Sequence, residues 1–537
     1  MTAHAGLPAS QRAKLVEIWC GVLGVASIDG NDNVFGLGGD SMAAALIALR
    51  VRKMLAIRTT VQDVFDHPTL AEYAAHLAAR KTAAVVQEDT PPVVDLTGLT
   101  PASLGQEAFL RLRQDPAHSS LMDSFFIDLA FRIRGPLDAP RLRQALLLVV
   151  GRYDSLRSTF VWSEGQLRLR VEPEPRLAYA YAAVTGPGDE RDEQVRALID
   201  QAMIDPFDRR HAPPISVRVY ALAPEEHVLL ILLDHFAADG ISIELFVTDL
   251  AEAYAGLERD PDFRLGPPGP QFPQWARWQR ETVRDTALAE SIRYWRGKLG
   301  PSPNVVANPL PGYTGTEGEK VERVTKVIDG TAAAQIRAGA AQRNVTVFAH
   351  VLGGLLLVMW RRTGQRSFCV KTSIANRSVS WAGQVFGPLA HDIFLRTDLP
   401  EVPEPDQAAR EVQRNLAEAL LYGAVPDLAL WTALWPDGYE YLRNPHVLYF
   451  SLNRVTDNAM LRLAGTEVSG FATNPGPSAP GVEFAVHETD TAFYFTISYK
   501  QGAYLAEDVA AVVAETADVL LGADARPTAG SAKGIAP

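Results

Sequence analysis

Between Thr82 and Thr100 the amphipathic periodicity of the chain stops: Pro91, Pro92 and Gly98 stand among small and acidic residues, and nothing recurs at a helical or strand spacing. Such a break obliges the stretches on either side to bury their apolar surfaces separately. Before it the pattern is helical. Leu15, Ile18, Trp19 and Val22 recur at helical spacing, Met42, Leu46, Leu49 and Met54 do so after a glycine-rich turn, and a further helix is predicted from about Thr69 to Arg80. After it, strand-like runs at Phe125–Arg134 and His227–Leu233 mix with helix-like stretches at Leu142–Arg152 and Ile243–Tyr254, the mark of an α/β fold. A second proline-rich break at Gly266–Pro273 divides this larger part. The expected organisation is a small helical domain at 8–81, a linker at 82–100, two α/β halves at 101–270 and 271–525, and a disordered tail at 526–537.

Several function classes drop out on simple grounds. The cysteines are Cys20 and Cys369, without CxxC or Cys/His spacing, so neither a disulfide framework nor a zinc site is expected, and a reducing cytoplasm fits. A net charge of -12 repels a phosphate backbone, which argues against nucleic acid. The N-terminal residues lack a basic stretch followed by an apolar run, and the apolar stretch Val351–Arg362 is too short for a bilayer and reads as a buried helix, so no membrane is expected. Asn344-Val345-Thr346 matches a glycosylation sequon but reads as a helix start. Trp275 and Trp278 are expected to pack between the two halves.

Two local patterns carry chemistry. Phe35-Gly36-Leu37-Gly38-Gly39-Asp40-Ser41 ends a loop and runs straight into an alanine-rich helix, which puts Ser41 at a helix N-terminus. Unpaired N–H groups and the positive end of the helix dipole stabilise an anion there, a setting that suits an attached phosphate as well as a plain N-cap. Further on, the apolar run Leu230-Ile231-Leu232-Leu233 leads into Asp234-His235-Phe236-Ala237-Ala238-Asp239-Gly240 before the helix-like Ile243–Tyr254. A strand end opening into a turn holds a group rigidly while leaving it accessible, so His235 is the candidate catalytic residue.

With Asp32-Asn33-Val34-Phe35, Thr60-Val61-Gln62-Asp63-Val64-Phe65 and His67-Pro68-Thr69-Leu70, residues 8–81 resemble a peptidyl carrier protein. The resemblance implies a four-helix, all-α domain bearing 4'-phosphopantetheine on Ser41, attached by a phosphopantetheinyl transferase. The larger part resembles the condensation domain of nonribosomal peptide synthetases. Arg152-Tyr153-Asp154-Ser155-Leu156-Arg157-Ser158-Thr159-Phe160 resembles that family's Arg-His-Glu-x-Leu-Arg-Thr-x-Phe motif, and Ser103-Leu104-Gly105-Gln106 its opening motif. Asp205-Pro206-Phe207-Asp208, Tyr294-Trp295, Ile374-Ala375-Asn376-Arg377 and Val385-Phe386-Gly387 follow in order.

This second resemblance implies a V-shaped pseudodimer of two chloramphenicol-acetyltransferase-like halves, with a tunnel between them where donor and acceptor arms meet. In the family's His-His-x-x-x-Asp-Gly motif the second histidine is catalytic, here His235. Asp239 is a structural partner held by an arginine, with Arg157 the first candidate and Arg152 the second. Gly240 permits the turn, and Asp234 stands where the first histidine would be. The implied activity is peptide bond formation between a donor thioester on Ser41 and the amine of an acceptor thioester. The implied partners are a downstream acceptor carrier and neighbouring adenylation and condensation domains.

Two alternatives stay open. Asp234, Asp239 and Ser242 match the Asp-x-x-x-x-Asp-x-x-Ser signature of heterocyclisation domains. Asp234, with Tyr153 and Asp154 in place of His and Glu, also fits a degenerate domain that recruits a partner. The expected catalytic glutamate of an epimerisation domain is not apparent.

Overall fold

A computed structural model of the chain describes residues 7–522 apart from 24, 38, 40, 56, 58, 60, 81–89, 114–125, 205–206, 208–212, 302–304, 306, 316–317, 319, 378, 380, 436–443, 445, 455–460 and 474–480. The predicted tail and most of Asp205-Pro206-Phe207-Asp208 lie outside the described residues, as does Asp40.

The N-terminal unit has helices Ala9–Leu23, Ser41–Leu55, Val61–Asp66 and Leu70–Ala78. Leu15, Ile18 and Trp19 meet Ala44, Ile47, Ala48, Val51 and Leu55 in one buried cluster closed by Val64, Phe65, Leu70, Tyr73 and Leu77. Met54, placed on the core stripe by its spacing, is 39% exposed. Two apolar registers compete along this helix, and the one carrying branched Ile47 and Val51 meets the core. The last helix starts at a capping box: Thr69 Oγ1 accepts from Glu72 N, and Glu72 Oε2 accepts from Thr69 N. That accounts for the His67-Pro68-Thr69-Leu70 segment read from the sequence.

The larger unit is built on two main sheets. The first has strand order Glu467–Gly470, Phe126–Arg134, Glu226–Asp234, Ile215–Ala223, Ala178–Ala183. The second runs His391–Asp398, Ser367–Ile374, Leu448–Arg454, Val482–Glu488, Ala492–Lys500, Val321–Asp329. The sequence patterns at 125–134, 142–152, 227–233 and 243–254 fall in the strand Phe126–Arg134, the helix Ala139–Arg152, the strand Glu226–Asp234 and the helix Gly240–Arg259. Helix Val347–Thr363 is buried over most of its length, capped by Thr346, whose Oγ1 accepts from Ala349 N at 3.0 Å. No single described helix is long and apolar enough to cross a membrane.

The division at 270 needs one correction. Segment 461–471 of the second half crosses back: Glu467–Gly470 pairs antiparallel with Phe126–Arg134, and Leu461, Leu463 and Phe471 enter cores formed by the first half. Strand Phe126–Arg134 would otherwise present an unpaired edge, and the returning segment covers it. The end of the predicted linker also belongs to the fold. Leu99–Pro101 pairs with Gln166–Val171, while Pro92 and Val93 carbonyls accept from Gln274 Nε2 and Arg277 Nη1. Trp275, 1% exposed, packs among Ala102, Leu167 and Leu169 on one side and Val379, Trp381 and Leu389 on the other, as expected for a residue between halves. The helical unit rests on the second half: Asn33 Nδ2 donates to Asn344 Oδ1 at 2.9 Å, and Ala417 packs into the cluster around Trp19.

Candidate active site

Strand Glu226–Asp234 is buried on both faces, which fixes the point where the chain must turn out. Asp234 ends it, fully buried, with Oδ1 accepting from Phe236 N at 3.0 Å and its carbonyl accepting from Ala237 N at 2.8 Å. This tight turn leaves His235 half-buried on the wall of a cavity of about 530 Å³. Two other segments singled out in the sequence converge on the same turn. Gln106 Nε2 donates to Phe236 O at 2.8 Å, and Ser155 Oγ donates to Ala237 O at 2.7 Å. Gln106 is itself held by a reciprocal pair with Ser103 at the start of its helix. The rings of Phe109 and Phe160 pack edge-on against Phe236.

Asp239 caps the following helix, but its main partner is neither predicted arginine. Arg377 grips it with two nearly parallel hydrogen bonds, Nη1 to Oδ2 at 2.8 Å and Nη2 to Oδ1 at 3.0 Å. Backbone N–H groups of Ser242, Leu389 and Ala390 and the Ser242 hydroxyl complete the shell. Burial alone would push this carboxyl up, yet the Arg377 guanidinium and the N–H donors hold it below the usual carboxylate range. Arg157 instead pairs with Asp154 at 2.7 Å, and Arg152 with Asp249 at 2.8 Å. Each has an acidic neighbour within its own half, which satisfies it before it could reach the cleft. Gly240 also departs from expectation. Its backbone is outside the left-handed region, and a Cβ there would meet nothing within 4 Å, so the turn does not require glycine.

The second half supplies the opposite wall of the cavity with Lys371, Ser373, His391, Asp392, Asp427 and Tyr449. His391 Nε2 donates to Gly423 O at 2.6 Å and Nδ1 accepts from Asn376 Nδ2 at 3.2 Å, the pattern of a neutral imidazole. Burial holds its pKa below the ordinary histidine value. Neither Asp234 nor Asp239 is among the described lining residues, whereas His235 is. Sequence reasoning missed Arg377 and this charged wall. Arg377 lay in a segment already singled out, but only the fold brings it to Asp239. Lys371 had left a local trace, a charge directly after the apolar run Phe368-Cys369-Val370 of a strand.

Ser41 begins the helix Ser41–Leu55, and the approach is as tight as the glycines implied. A Cβ on Gly39 would lie 2.6 Å from the Val34 carbonyl oxygen. A serine at the mouth of a fifteen-residue helix suits a phosphodiester, whose charge the helix N-terminus stabilises.

Residues 13–77 match the model of the phosphopantetheine attachment site, and residues 101–533 that of the condensation domain. Malpinin synthetase of Mortierella alpina is 25% identical over 421 residues, 77% of this chain and 5% of that protein. The chain spans 5–8% of the length of the first curated relatives it matches. The X-domain from teicoplanin biosynthesis, solved in complex with OxyB, superposes with a TM-score of 0.68 at 20% identity, covering 81% of this chain and 96% of that one. The first condensation domain of the calcium-dependent antibiotic synthetase, bound to a substrate analogue, gives 0.63 at 17% identity, covering 79% and 97%. These two share the fold. The condensation model takes in most of the chain, which therefore belongs to the condensation domain family.

Proposed function

We propose that the chain joins two tethered acyl units in nonribosomal peptide synthesis, Ser41 carrying the donor and His235 serving the reaction of its carbonyl with an acceptor amine. The observation that carries this reading is the separation within one motif: His235 lines the cavity while Asp234 and Asp239 are buried in hydrogen bonds behind it. That arrangement gives the two carboxylates a structural part and disfavours heterocyclisation through them.

When bound at Ser41, phosphopantetheine supplies the thiol on which the donor is carried as a thioester. The protein's own residues do the rest. Cavity walls from both halves, with Phe109, Phe236, Trp275 and Leu389 among them, exclude water and align the reacting groups, and such alignment accounts for much of the rate of a bimolecular step. A free α-amine has a pKa near about 7.7, so a useful fraction is neutral at neutral pH. His235 acts at that amine, as proton acceptor or as hydrogen-bond partner, and a pH–rate profile distinguishes the two.

The test is the mass of the product formed when the aminoacyl-loaded chain meets an acceptor carrier bearing cysteine or serine, with His235→Ala in parallel. An amide mass lost by about a hundredfold or more in the variant, with folding intact, supports the reading. The same mass less a further water assigns heterocyclisation. No product with several donors assigns partner recruitment.

A further inference from the structure

The wall facing His235 holds more charge than its own pairings use. Lys371 Nζ lies 3.0 Å from Asp392 Oδ2 and 3.0 Å from Asp427 Oδ2, so one ammonium serves two carboxylates. Ser373 Oγ donates to the remaining Asp392 oxygen at 2.5 Å, and the Tyr449 hydroxyl, 2.7 Å from Ser373 Oγ, donates in turn. Asp392 is therefore fully engaged. Asp427 is not: it is 8% exposed, at the start of helix Asp427–Leu434, and its Oδ1 receives no hydrogen bond from the described residues. Burial and the neighbouring Asp392 raise its pKa against the pull of Lys371, while Asp392 is held below the usual range. Around the whole cavity the described lining carries four carboxylates, Asp128, Asp392, Asp427 and Glu483, against two cations, Arg323 and Lys371.

A buried carboxylate without its own counter-charge is costly, and a cationic ligand group removes that cost. We propose that Lys371, Asp392 and Asp427 form a subsite for a basic group, an ammonium or guanidinium, carried by the tethered substrate at a position other than its attacking amine. The attacking amine is excluded because a carboxylate partner favours the charged form, and an ammonium has no lone pair with which to attack. Among the described residues Asp427 Oδ1 is left as an open acceptor, and Lys371 holds the two carboxylates apart at a fixed spacing. The inference rests on the cavity being the substrate site, as proposed above, and names the class of substrate it selects.

Three stable pantetheine amides separate the possibilities by calorimetry on the whole chain: Nα-acetyl-lysyl, Nα-acetyl-norleucyl, and norleucyl with a free α-amine. Expected is a preference of at least about tenfold for the acetyl-lysyl over the acetyl-norleucyl probe, falling to near one in Asp427→Asn. Asp427→Ser replaces that variant if its melting curve shows misfolding. Equal binding of the two acetylated probes to the wild type overturns the proposal. So does an Asp427→Asn loss confined to the free-amine probe, which would move the subsite to the α-amine. Amide formation measured alongside keeps the two readings apart. Turnover without a lysyl preference sinks the subsite alone, and a lysyl preference without turnover sinks the condensation reading alone.

Discussion

Arg377 and Asp239 lie 138 residues apart in the chain and 2.8 Å apart in the fold, one from each half of the condensation domain, and both are almost wholly buried. The pair, with Gly387 N donating to Ser242 Oγ at 3.0 Å, ties the helix that follows His235 to the second half. The motif aspartate thus works as a clamp. It fixes where the His235 turn sits relative to the facing wall of the cavity.

Breaking this clamp on one side strands a buried charge. Asp239→Ala is expected to cost about 3–5 kcal/mol, read as a lowered denaturation midpoint. In a double-mutant cycle Asp239→Asn and Arg377→Met should couple by about 1 kcal/mol or more, whereas Asp239→Asn and Arg157→Met should add to within about 0.5 kcal/mol. Coupling to Arg157 in place of Arg377 would contradict the pairing.

Gly240→Ala is expected to leave stability within about 1 kcal/mol of the wild type, because the added methyl meets open space at a helix start. A loss of several kcal/mol in chemical denaturation would mean that the turn needs glycine after all.

The chain is expected to gain the mass of phosphopantetheine with coenzyme A and a phosphopantetheinyl transferase, and Ser41→Ala to abolish that gain. A gain of the same size in the variant, by intact mass spectrometry, would move the attachment to another residue.

His350 gives a pH prediction. Burial, with Arg343 nearby, lowers its pKa from 6.5 to about 4 in the folded chain. Between those values the unfolded chain takes up a proton that the folded chain refuses, so stability is full above about 6.5 and falls as the pH drops towards 4. The slope from this one group approaches about 1.4 kcal/mol per pH unit. His350→Leu should flatten the acid limb of a melting-temperature profile, and an unchanged limb would show that His350 titrates normally.

What the sequence disclosed and what it hid divide along contact distance. His235 stood out because a buried strand, a turn and a helix follow one another locally, and Gln106 and Ser155 lay in segments marked by their own patterns, though not by their target. Ser41 was legible for the same reason, as a loop-to-helix junction. Arg377 was not, since no local pattern says which arginine reaches Asp239; Arg157 and Arg152 looked suitable until the fold gave each an acid of its own. Met54 failed differently, because alanine-rich helices offer two apolar stripes and only tertiary packing chooses between them.

The returning strand Glu467–Gly470 has a consequence for synthesis of the chain. The ribosome delivers Phe126–Arg134 more than three hundred residues before that strand emerges, so the earlier strand must wait with one edge of backbone N–H and C=O groups unpaired. For that interval the nascent chain is exposed to pairing with the wrong partner. A gene cut at the boundary near 270 would make this state permanent. The two halves are therefore expected to be recoverable in soluble form when made as one chain, or when co-expressed so that the later piece can supply its strand.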